Sequence, residues 1–278
     1  MNCLNGMPQS SNSQPIDFIT VTYGNMFSSI RRTIESVYRH TEKPFRIFIV
    51  NNGSTDETAT YFKKYAECVT VNLSENVGMV KGFNAAVKKA DAAYIVRMDH
   101  DIELTMPWQR KFINIFENNP KVGIVGPRVI MPGKKIYSAD FDFYIKKLPF
   151  IRFKNLLVLP KAIRRLTHWT WSANYGEEDN DDRFGSVKEV AHVTGAFFMI
   201  KKYAFEKVGE FDEAYMEKNG TFEDFDYTLR MISNGFKVIY DGEIKVLHYC
   251  DRPTQYIKQD PVNSPCTNRM QFRQKWGI

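Results

Sequence analysis

The sequence has few of the features that mark secreted, membrane-spanning or repetitive proteins. Its 278 residues include only four cysteines, which are scattered and form no C-x-x-C pair. Their scarcity argues against a disulfide scaffold and against a zinc ribbon. No apolar run approaches the roughly 18 residues that cross a bilayer, and the polar N-terminus lacks the charged and apolar regions of a signal peptide. These absences favour a protein of the reducing cytoplasm.

A strong charge of one sign is also lacking. Thirty-eight Lys and Arg residues against 32 Asp and Glu residues leave a net charge of +6. With 43% hydrophobic and 25% charged residues, the composition is that of a globular domain and not of a disordered chain. The mild positive excess permits an anionic partner such as a nucleotide, a phospholipid surface or nucleic acid, but it selects none of them.

Acidic residues are absent from one stretch of the chain. Residues 143–176 contain no Asp or Glu, and basic residues are interleaved there with Leu, Ile, Phe and Trp. Such a segment suits contact with an anionic membrane face. It equally suits a segment that covers part of the domain and keeps its charges in solvent, so both interpretations stay open. No DNA- or RNA-binding module surrounds it, and no nucleic-acid partner is expected.

Apolar runs of strand length alternate with helix-period segments along most of the chain. Strands are predicted at 17–22, 45–50, 69–73, 94–98, 122–130, 191–194 and 244–247, and helices at 28–38, 56–66, 80–90 and 107–118. This alternation indicates βαβ units. We therefore expect an α/β fold, a single Rossmann-like domain with a mostly parallel central sheet flanked by helices.

The predicted domain occupies residues 16–249. A flexible N-terminus, 1–15, precedes it, and a C-terminal tail, 250–278, follows and packs on it. A shift of composition near residue 135 divides the domain into halves of different role, 16–135 and 136–249, without a linker between them.

Two aspartates follow the fourth predicted strand. Asp99 and Asp101 are separated by one residue, and in an extended chain residues two apart point to the same side. Two oxygen ligands at the carboxyl edge of a parallel sheet suit Mg²⁺ or Mn²⁺ with its phosphates. A solvated acidic turn explains the same pair, because a D-x-D pattern alone is a weak signal.

A polar turn follows the second predicted strand. Asn51 begins it, and Ser54 with Glu57 has the spacing of a capping box for the next helix. A capped turn is a sufficient explanation of these residues. The functional alternative places Asn51 and this turn at a nucleotide base, since ligands of such sheets bind at the carboxyl ends of strands.

Acidic residues also open a helix late in the chain. Thr221 and Asp224 have capping-box spacing there, while Glu223 or Asp224 could instead be a general base over the sheet edge. His248 ends the last predicted strand, where a lone histidine is usually structural. All four sites fall at strand ends or helix starts, where an open α/β sheet forms its ligand crevice.

Four segments in a fixed order connect these sites. They are ITVTYGN; IVNNGSTDET followed by NVGMVKGFNAAV; VRMDHDIEL; and HVTGAFFMIKKYAFEKVGEFDEAYMEKNGTFEDFDYTLRMISNGFKVIYDGEIKVLHY. Together they cover roughly residues 16–249, and in combination they resemble family 2 glycosyltransferases of the GT-A fold. That large inverting family includes many bacterial rhamnosyltransferases.

The resemblance implies a nucleotide-sugar site in the first half of the chain. The residues that it implies for this site are Thr22, Tyr23, Asn51, Ser54, Gly78, Lys81, Asn84 and Asp99. Asn51 is a departure from the family, which usually has an aspartate there to read the base. An amide donates as well as accepts hydrogen bonds, so uridine is not assured as the base.

The resemblance also implies a metal site and a base. The implied metal ligands are Asp101, His248 and Asp99, from the DXD motif and the last strand. Glu223 and Asp224 match the ED motif, in which Asp224 would be the catalytic base. Gly195, after the predicted strand 191–194, would lie under the junction of sugar and acceptor.

The implied reaction moves a sugar from a UDP, dTDP or GDP sugar to a hydroxyl of a glycan or lipid-linked acceptor. It would use Mn²⁺ or Mg²⁺, in the cytoplasm or on the inner face of the cell membrane, in the synthesis of envelope polysaccharides. Two alternatives stay open: a catalytically inactive nucleotide-sugar-binding homologue, because of Asn51, and a metal-dependent nucleotidyltransferase. The latter would be expected to have a Gly-rich basic loop after the first strand, which residues 22–25 lack.

Overall fold

The first half of the chain folds into parallel strands joined by helices. The computed structural model describes residues 14–145, 148–152, 169–172, 174–215, 222–251 and 267–277. The first elements are β1 (Ile16–Thr22), α1 (Phe27–His40), β2 (Phe45–Asn52), α2 (Thr58–Tyr61), β3 (Cys68–Leu73), α3 (Met79–Val87) and β4 (Tyr94–Met98). The four strands lie in the order β3–β2–β1–β4 and pair in parallel, which confirms the predicted α/β fold.

The order of these strands creates a crevice beside β1. β2 and β3 lie on one side of β1, and β4 lies on the other. In an open α/β sheet, ligands bind at the carboxyl ends of the strands where the order reverses in this way. β1 ends at Thr22 and β4 at Met98, so the residues that follow these two positions border the crevice.

The second half of the chain adds antiparallel strands to the same sheet. Its elements are β5 (Ile102–Leu104), α4 (Gln109–Asn118), β6 (Val122–Met131), β7 (Lys135–Ser138), β8 (Asp142–Ile145), β9 (Leu148–Arg152), β10 (Trp169–Ser172), α5 (Asp181–Phe184), β11 (Val187–Val190), β12 (Phe197–Lys201), α6 (Lys202–Val208), α7 (Glu223–Ser233), β13 (Lys237–His248) and α8 (Thr267–Trp276). β12 lies antiparallel between β4 and β6, and β6 pairs in parallel with β13. The sheet is therefore parallel in its first half and mixed as a whole.

The predicted strand at 191–194 is wrong. The strands in this region are β11 and β12, and the residues between them cross from β11 at one edge of the sheet to β12 in its middle. Ala191 and Val193 are buried in this crossing. The apolar pattern of the segment therefore reflects burial, with a single antiparallel bridge from His192 to Phe141 in place of a strand.

The predicted capping box of Ser54 and Glu57 is wrong as well. The helix begins only at Thr58, and no side chain of the residue before it caps the helix. Instead, Asp56 Oδ1 accepts a hydrogen bond from the Thr58 N–H at 3.1 Å, while its Oδ2 accepts one from the Phe27 N–H at 3.1 Å. Asp56 thus ties the turn after β2 to the start of α1.

Helices cover both faces of the sheet. On one face α1 and α4 pack through side chains such as Ile30, Ile34 and Phe112. On the other face α3 and α7 pack through Phe83 and Tyr227. Burying a side chain of this size contributes about 1.5–3 kcal/mol, so the two layers hold the strand ends, and the polar residues on them, in fixed positions.

The basic segment 143–176 lies largely outside the described residues. Most of its described part forms a small antiparallel sheet in the order β10–β8–β9. The side chains predicted to contact a membrane are not among those described, so this contact stays a prediction. Within the described parts of the chain, every helix is too short or too polar to cross a membrane.

Candidate active site

The two aspartates and the histidine singled out in the sequence meet at one point. β4 ends at Met98, and the chain turns through Asp99–Asp101 before β5. β5 then pairs antiparallel with the end of β13, opposite His248. The Nε2 atom of His248 lies 3.2 Å from Asp101 Oδ1 and 3.9 Å from Asp99 Oδ2. The two carboxylates thus converge through a turn, where an extended chain was expected.

Hydrogen bonds and burial set the charges of this cluster. Burial would lower the pKa of His248, but the hydrogen bond with Asp101 and the nearby negative charges raise that pKa to about 10. Burial would raise the pKa of Asp101, but the hydrogen bond and charge of His248 lower it overall. The Asp251 N–H donates a further hydrogen bond to Asp101 Oδ2 at 2.7 Å. Asp101 is therefore held as a carboxylate.

The donor atoms of this cluster fit a divalent cation. One ligand atom from each of Asp99, Asp101 and His248 lies within 4.8 Å of the other two. Carboxylates suit Mg²⁺ and Mn²⁺, and an imidazole ligand shifts the preference toward transition metals. The side chain of Asp99 is 29% exposed while those of the other two are buried, so a ligand from the crevice can approach on the Asp99 side.

Asp224 lies at the start of α7 and points toward the loop before β12. Its Oδ2 accepts a hydrogen bond from the Gly195 N–H at 2.7 Å, and its Oδ1 accepts one from the Phe225 N–H at 2.8 Å. The side chain is 14% exposed. The N-cap of α7 is Phe222, with φ at +71° and no side-chain cap. Thr221, predicted to cap this helix, lies outside the described residues.

Glu223 has a different environment from its neighbour Asp224. Its Oε1 accepts a hydrogen bond from Arg97 Nη2 at 2.7 Å, and both side chains of this ion pair are buried. Arg97 stands on β4, two residues before Asp99. The pair therefore fixes the first turn of α7 against the strand that leads to the metal cluster. Because Glu223 is buried and paired, the more exposed Asp224 is better placed to receive a proton.

Gly195 is packed directly against Arg97. A Cβ atom at this position would lie 2.5 Å from Arg97 Cζ, a distance that van der Waals contact forbids. Gly195 also donates its N–H to Asp224. The absence of a side chain thus lets the loop approach both the buried arginine and the carboxylate.

We expect Gly195→Ala to lower the free energy of unfolding by about 1–3 kcal/mol, since the methyl group must displace the guanidinium. The hydrogen bond from the Gly195 N–H to Asp224 should weaken as well, because the same shift moves its donor. Chemical denaturation measures the first effect. In an Arg97→Leu background the same alanine should be tolerated better; equal losses in both backgrounds would show that the collision is not the cause.

His192 is a buried neutral histidine below Asp224. Its ring stacks on Phe225 with centroids 3.8 Å apart, and its Nδ1 lies 3.1 Å from Thr228 Oγ1. That hydroxyl already donates to the Phe225 carbonyl oxygen at 3.0 Å, so it accepts from His192 Nδ1–H. Burial, and then the charge of Arg97, holds the pKa of His192 well below 6.5.

This histidine should make the fold sensitive to acid. In the unfolded chain His192 binds a proton near its ordinary pKa of 6.5, but the folded protein excludes that proton. The contribution of His192 to the free energy of unfolding is therefore fully present above that pH. It falls by about 1.4 kcal/mol per pH unit as the pH drops below it. His192→Gln should lower the free energy of unfolding at neutral pH. It should also reduce the dependence of that free energy on pH between pH 6.5 and 5.5. If urea denaturation shows the same pH dependence of the free energy of unfolding in the wild type and in His192→Gln, His192 is not the source of the acid sensitivity.

The residues implied for contact with the nucleotide base lie at the ends of β1 and β2. Thr22 and Ser54 have buried hydroxyls without a hydrogen-bond partner among the described residues, and Tyr23 beside them is half-buried. Asn51 is buried, and its Nδ2 donates to Ser54 O at 3.3 Å and to Asn72 Oδ1 at 3.2 Å. Its Oδ1 accepts from the Ser54 N–H at 3.0 Å. One lone pair of Asn51 Oδ1 is left to contact a nucleotide base. That these residues bind the nucleotide stays a prediction.

The residues implied for the segment that closes over the base and ribose lie on α3 and immediately before it. Gly78 precedes this helix with φ at +88°, a conformation that favours glycine, and Lys81 is half-buried in the first turn. The Asn84 amide is engaged elsewhere, since it donates to the Phe211 carbonyl oxygen at 2.9 Å and accepts from the Phe211 N–H at 3.2 Å. Asn84 thus anchors the chain after α6, and its predicted contact with the donor is untested.

Sequence reasoning missed Tyr137 on β7. Its ring lies edge-on to the His248 ring, with centroids 4.2 Å apart. Burial raises the pKa of Tyr137, and the negative charges of Asp99 and Asp224 raise it further. A single aromatic residue in a short hairpin carries no periodic signal that could have revealed it.

Sequence reasoning also missed the role of Asp226. This buried carboxylate accepts a hydrogen bond from Trp276 Nε1 at 2.8 Å and from Lys275 Nζ at 3.1 Å. Both donors stand on α8, so the described part of the predicted tail packs on the helix that carries Asp224. The contact joins residues far apart in sequence, and only the fold reveals it.

Solved structures share this fold at low sequence identity. The crystal structure of GalNAc-T7 with UDP, GalNAc and Mn²⁺ superposes with a TM-score of 0.66 and 13% identity, over 94% of this chain and 48% of that one. Mannosyltransferase PcManGT from Pyrobaculum calidifontis, in complex with GDP-Man and Mn²⁺, has a TM-score of 0.56 and 16% identity, over 91% of this chain and 62% of that one. The predicted GT-A architecture is confirmed.

Curated relatives and a family model identify the sequence family. Poly-beta-1,6-N-acetyl-D-glucosamine synthase of Staphylococcus aureus (strain COL) is 24% identical over 231 residues, 81% of this chain and 48% of the relative. The synthase of the same name from Staphylococcus epidermidis is 31% identical over 202 residues, 71% of this chain and 42% of the relative. The chain spans less than half the length of these relatives. Residues 17–209 match the model of Glycosyl transferase family 2, and the chain belongs to that family.

Proposed function

We propose that this glycosyltransferase is metal-dependent and inverting, and that it moves a sugar from a nucleoside-diphosphate sugar to a hydroxyl of a glycan or lipid-linked acceptor. One observation carries the proposal. The buried Arg97–Glu223 ion pair joins β4, which leads into the cluster of Asp99, Asp101 and His248, to α7, which carries the carboxylate of Asp224. A cation site and a base are thus fixed relative to each other.

The three ligands of the cluster would hold Mn²⁺ or Mg²⁺. When bound there, such an ion would act as a Lewis acid that stabilises negative charge on a leaving nucleoside diphosphate. His248 and Asp101 are buried and hydrogen-bonded to each other, and cation binding would displace the proton that His248 Nε2 donates to Asp101. Asp99 is more exposed and faces the crevice, which suits contact with both the ion and the donor sugar.

Asp224 would accept the proton of the acceptor hydroxyl. The N–H groups of Gly195 and Phe225 orient its carboxylate, and the buried Arg97 lies close by. With the proton removed, the acceptor oxygen attacks the anomeric carbon on the face opposite the leaving group. A single displacement with one carboxylate inverts that carbon, by the geometric logic of inverting glycosidases.

The matched proteins suggest which classes of nucleotide sugar to test as donors, but they do not identify the donor. The curated relatives are named for a polymer of N-acetylglucosamine, and the structures with this fold were solved with UDP and with GDP-Man. A nucleoside diphosphate with an amino or neutral hexose is therefore the first donor class to test. Rhamnosyl transfer, contact of residues 143–176 with a membrane, and a cytoplasmic site of action stay predictions.

The function is tested by incubating the purified chain with UDP, dTDP and GDP sugars and Mn²⁺, and measuring release of the nucleoside diphosphate. Hydrolysis of at least one donor, lost in EDTA and restored by Mn²⁺, is the expected result. Tight binding of a nucleoside diphosphate without any turnover would instead identify an inactive homologue.

A further inference from the structure

An exposed aromatic residue stands beside the candidate active site. The side chain of Tyr175 is 64% exposed. Its ring meets that of Tyr137 edge-on, with centroids 6.0 Å apart. Tyr137 in turn contacts the His248 ring at 4.2 Å. The rings of His248, Tyr137 and Tyr175 thus form a continuous series from the candidate cation site to the surface.

The turn that carries Tyr175 is fixed by the fold. Asn174 and Gly176 on either side have φ of +48° and +80°, and this pair of left-handed residues turns the tyrosine outward. The turn is held on β7, because the Gly176 N–H donates to the Ile136 carbonyl oxygen and the Ile136 N–H donates to the Glu177 carbonyl oxygen, both at 2.8 Å. The exposure of Tyr175 therefore results from a defined backbone geometry.

The position of these rings separates them from the expected donor site. The residues implied for the nucleotide stand on β1, β2 and α3, on one side of β4. Tyr137 stands on β7, which pairs with β6 on the other side of β4. A ligand that reaches the metal cluster along the rings would approach from the side opposite the nucleotide, as an acceptor must.

The chemistry of the surface suits a sugar ring. A tyrosine presents a rigid flat face with a polar group at its edge, which can pack against the C–H face of a sugar while neighbouring groups meet its hydroxyls. We propose that Tyr175 and Tyr137 form a binding surface for a sugar unit of a glycan acceptor, next to the unit that carries the reacting hydroxyl. This inference rests on the proposed function, and it specifies the acceptor class.

The test compares Tyr175→Ala with Tyr203→Ala, which removes a tyrosine of similar exposure, 55%, on α6. Each protein is applied to an array of short glucosamine and mannose oligosaccharides, together with Mn²⁺ and the nucleoside diphosphate of the donor that the wild type hydrolyses. The glycan that the wild type binds best then serves as the acceptor in steady-state kinetics. We expect Tyr175→Ala to raise the KM for that glycan about three- to tenfold. kcat at saturating acceptor should be unchanged, and Tyr175→Phe should restore the KM.

Donor hydrolysis without an acceptor keeps the two proposals apart. If the wild-type chain hydrolyses no donor, the proposed function fails. If all variants hydrolyse the donor equally, the active site is intact, and the acceptor data then decide. An unchanged KM in Tyr175→Ala, the same rise in Tyr203→Ala, or a wild-type chain that hydrolyses donor but binds no glycan would overturn the inference.

Discussion

Replacing Asp224 with asparagine should lower the rate of sugar transfer by about two to four orders of magnitude, the usual contribution of a general base. The fold should survive, because asparagine can still accept the hydrogen bond from the Gly195 N–H. Loss of an acceptor for the Phe225 N–H should cost only about 1 kcal/mol. Steady-state transfer and thermal unfolding on the same preparation measure the two effects.

Glu223→Gln is the matched control, since it makes the same change at the adjacent residue. Glu223 is 3% exposed and paired with Arg97, so the variant leaves a buried charge without its partner, at a cost of about 3–5 kcal/mol in stability. We expect Asp224→Asn to lose rate and keep stability, and Glu223→Gln to lose stability and keep more of the rate. The reverse order would assign the base to Glu223.

Removing the proposed metal ligand Asp101 should have an effect of comparable size. Asp101→Asn keeps the shape of the side chain and an acceptor for the Asp251 N–H, but it loses the charge that a cation requires. Because even indirect partners of metal ligands are worth about 10–100-fold in affinity or activity, we expect transfer to fall by at least about 100-fold. Asp99→Asn should mainly weaken donor binding.

EDTA provides the complementary measurement. Chelation should stop the wild-type protein, and added Mn²⁺ should restore it, while Asp101→Asn should need far more Mn²⁺ for any recovery. Asp182→Asn, which changes an exposed carboxylate on α5, serves as the control and should respond like the wild type. Normal turnover of Asp101→Asn in EDTA would exclude a metal role for this residue.

The sequence indicated the βαβ units of the first half and the meeting of the polar strand ends. Buried parallel strands produce strong apolar runs, and the carboxyl ends of such strands converge, which brought Asp99 and Asp101 to the crevice. The resemblance implied His248 as a further ligand beside them, and the contact follows from the pairing of β13 with β5, which local sequence does not encode.

The errors and omissions have physical causes of another kind. The apolar residues of 191–194 are buried in a crossing segment, and periodicity cannot distinguish this from a strand. Arg97 occupies a strand position where burial of a charge is unexpected, and only its contact with Glu223 explains it. Tyr137, Tyr175 and Asp226 act through contacts between distant segments, which no single window of sequence contains.

The pairing of β13 with β5 also bears on how the protein is made. The ribosome synthesises both aspartates of the cluster long before it reaches His248. A nascent chain can therefore assemble the four parallel strands while it still lacks the third ligand atom and the strand that holds it in register. The complete set of three candidate ligands therefore exists only after translation has passed β13.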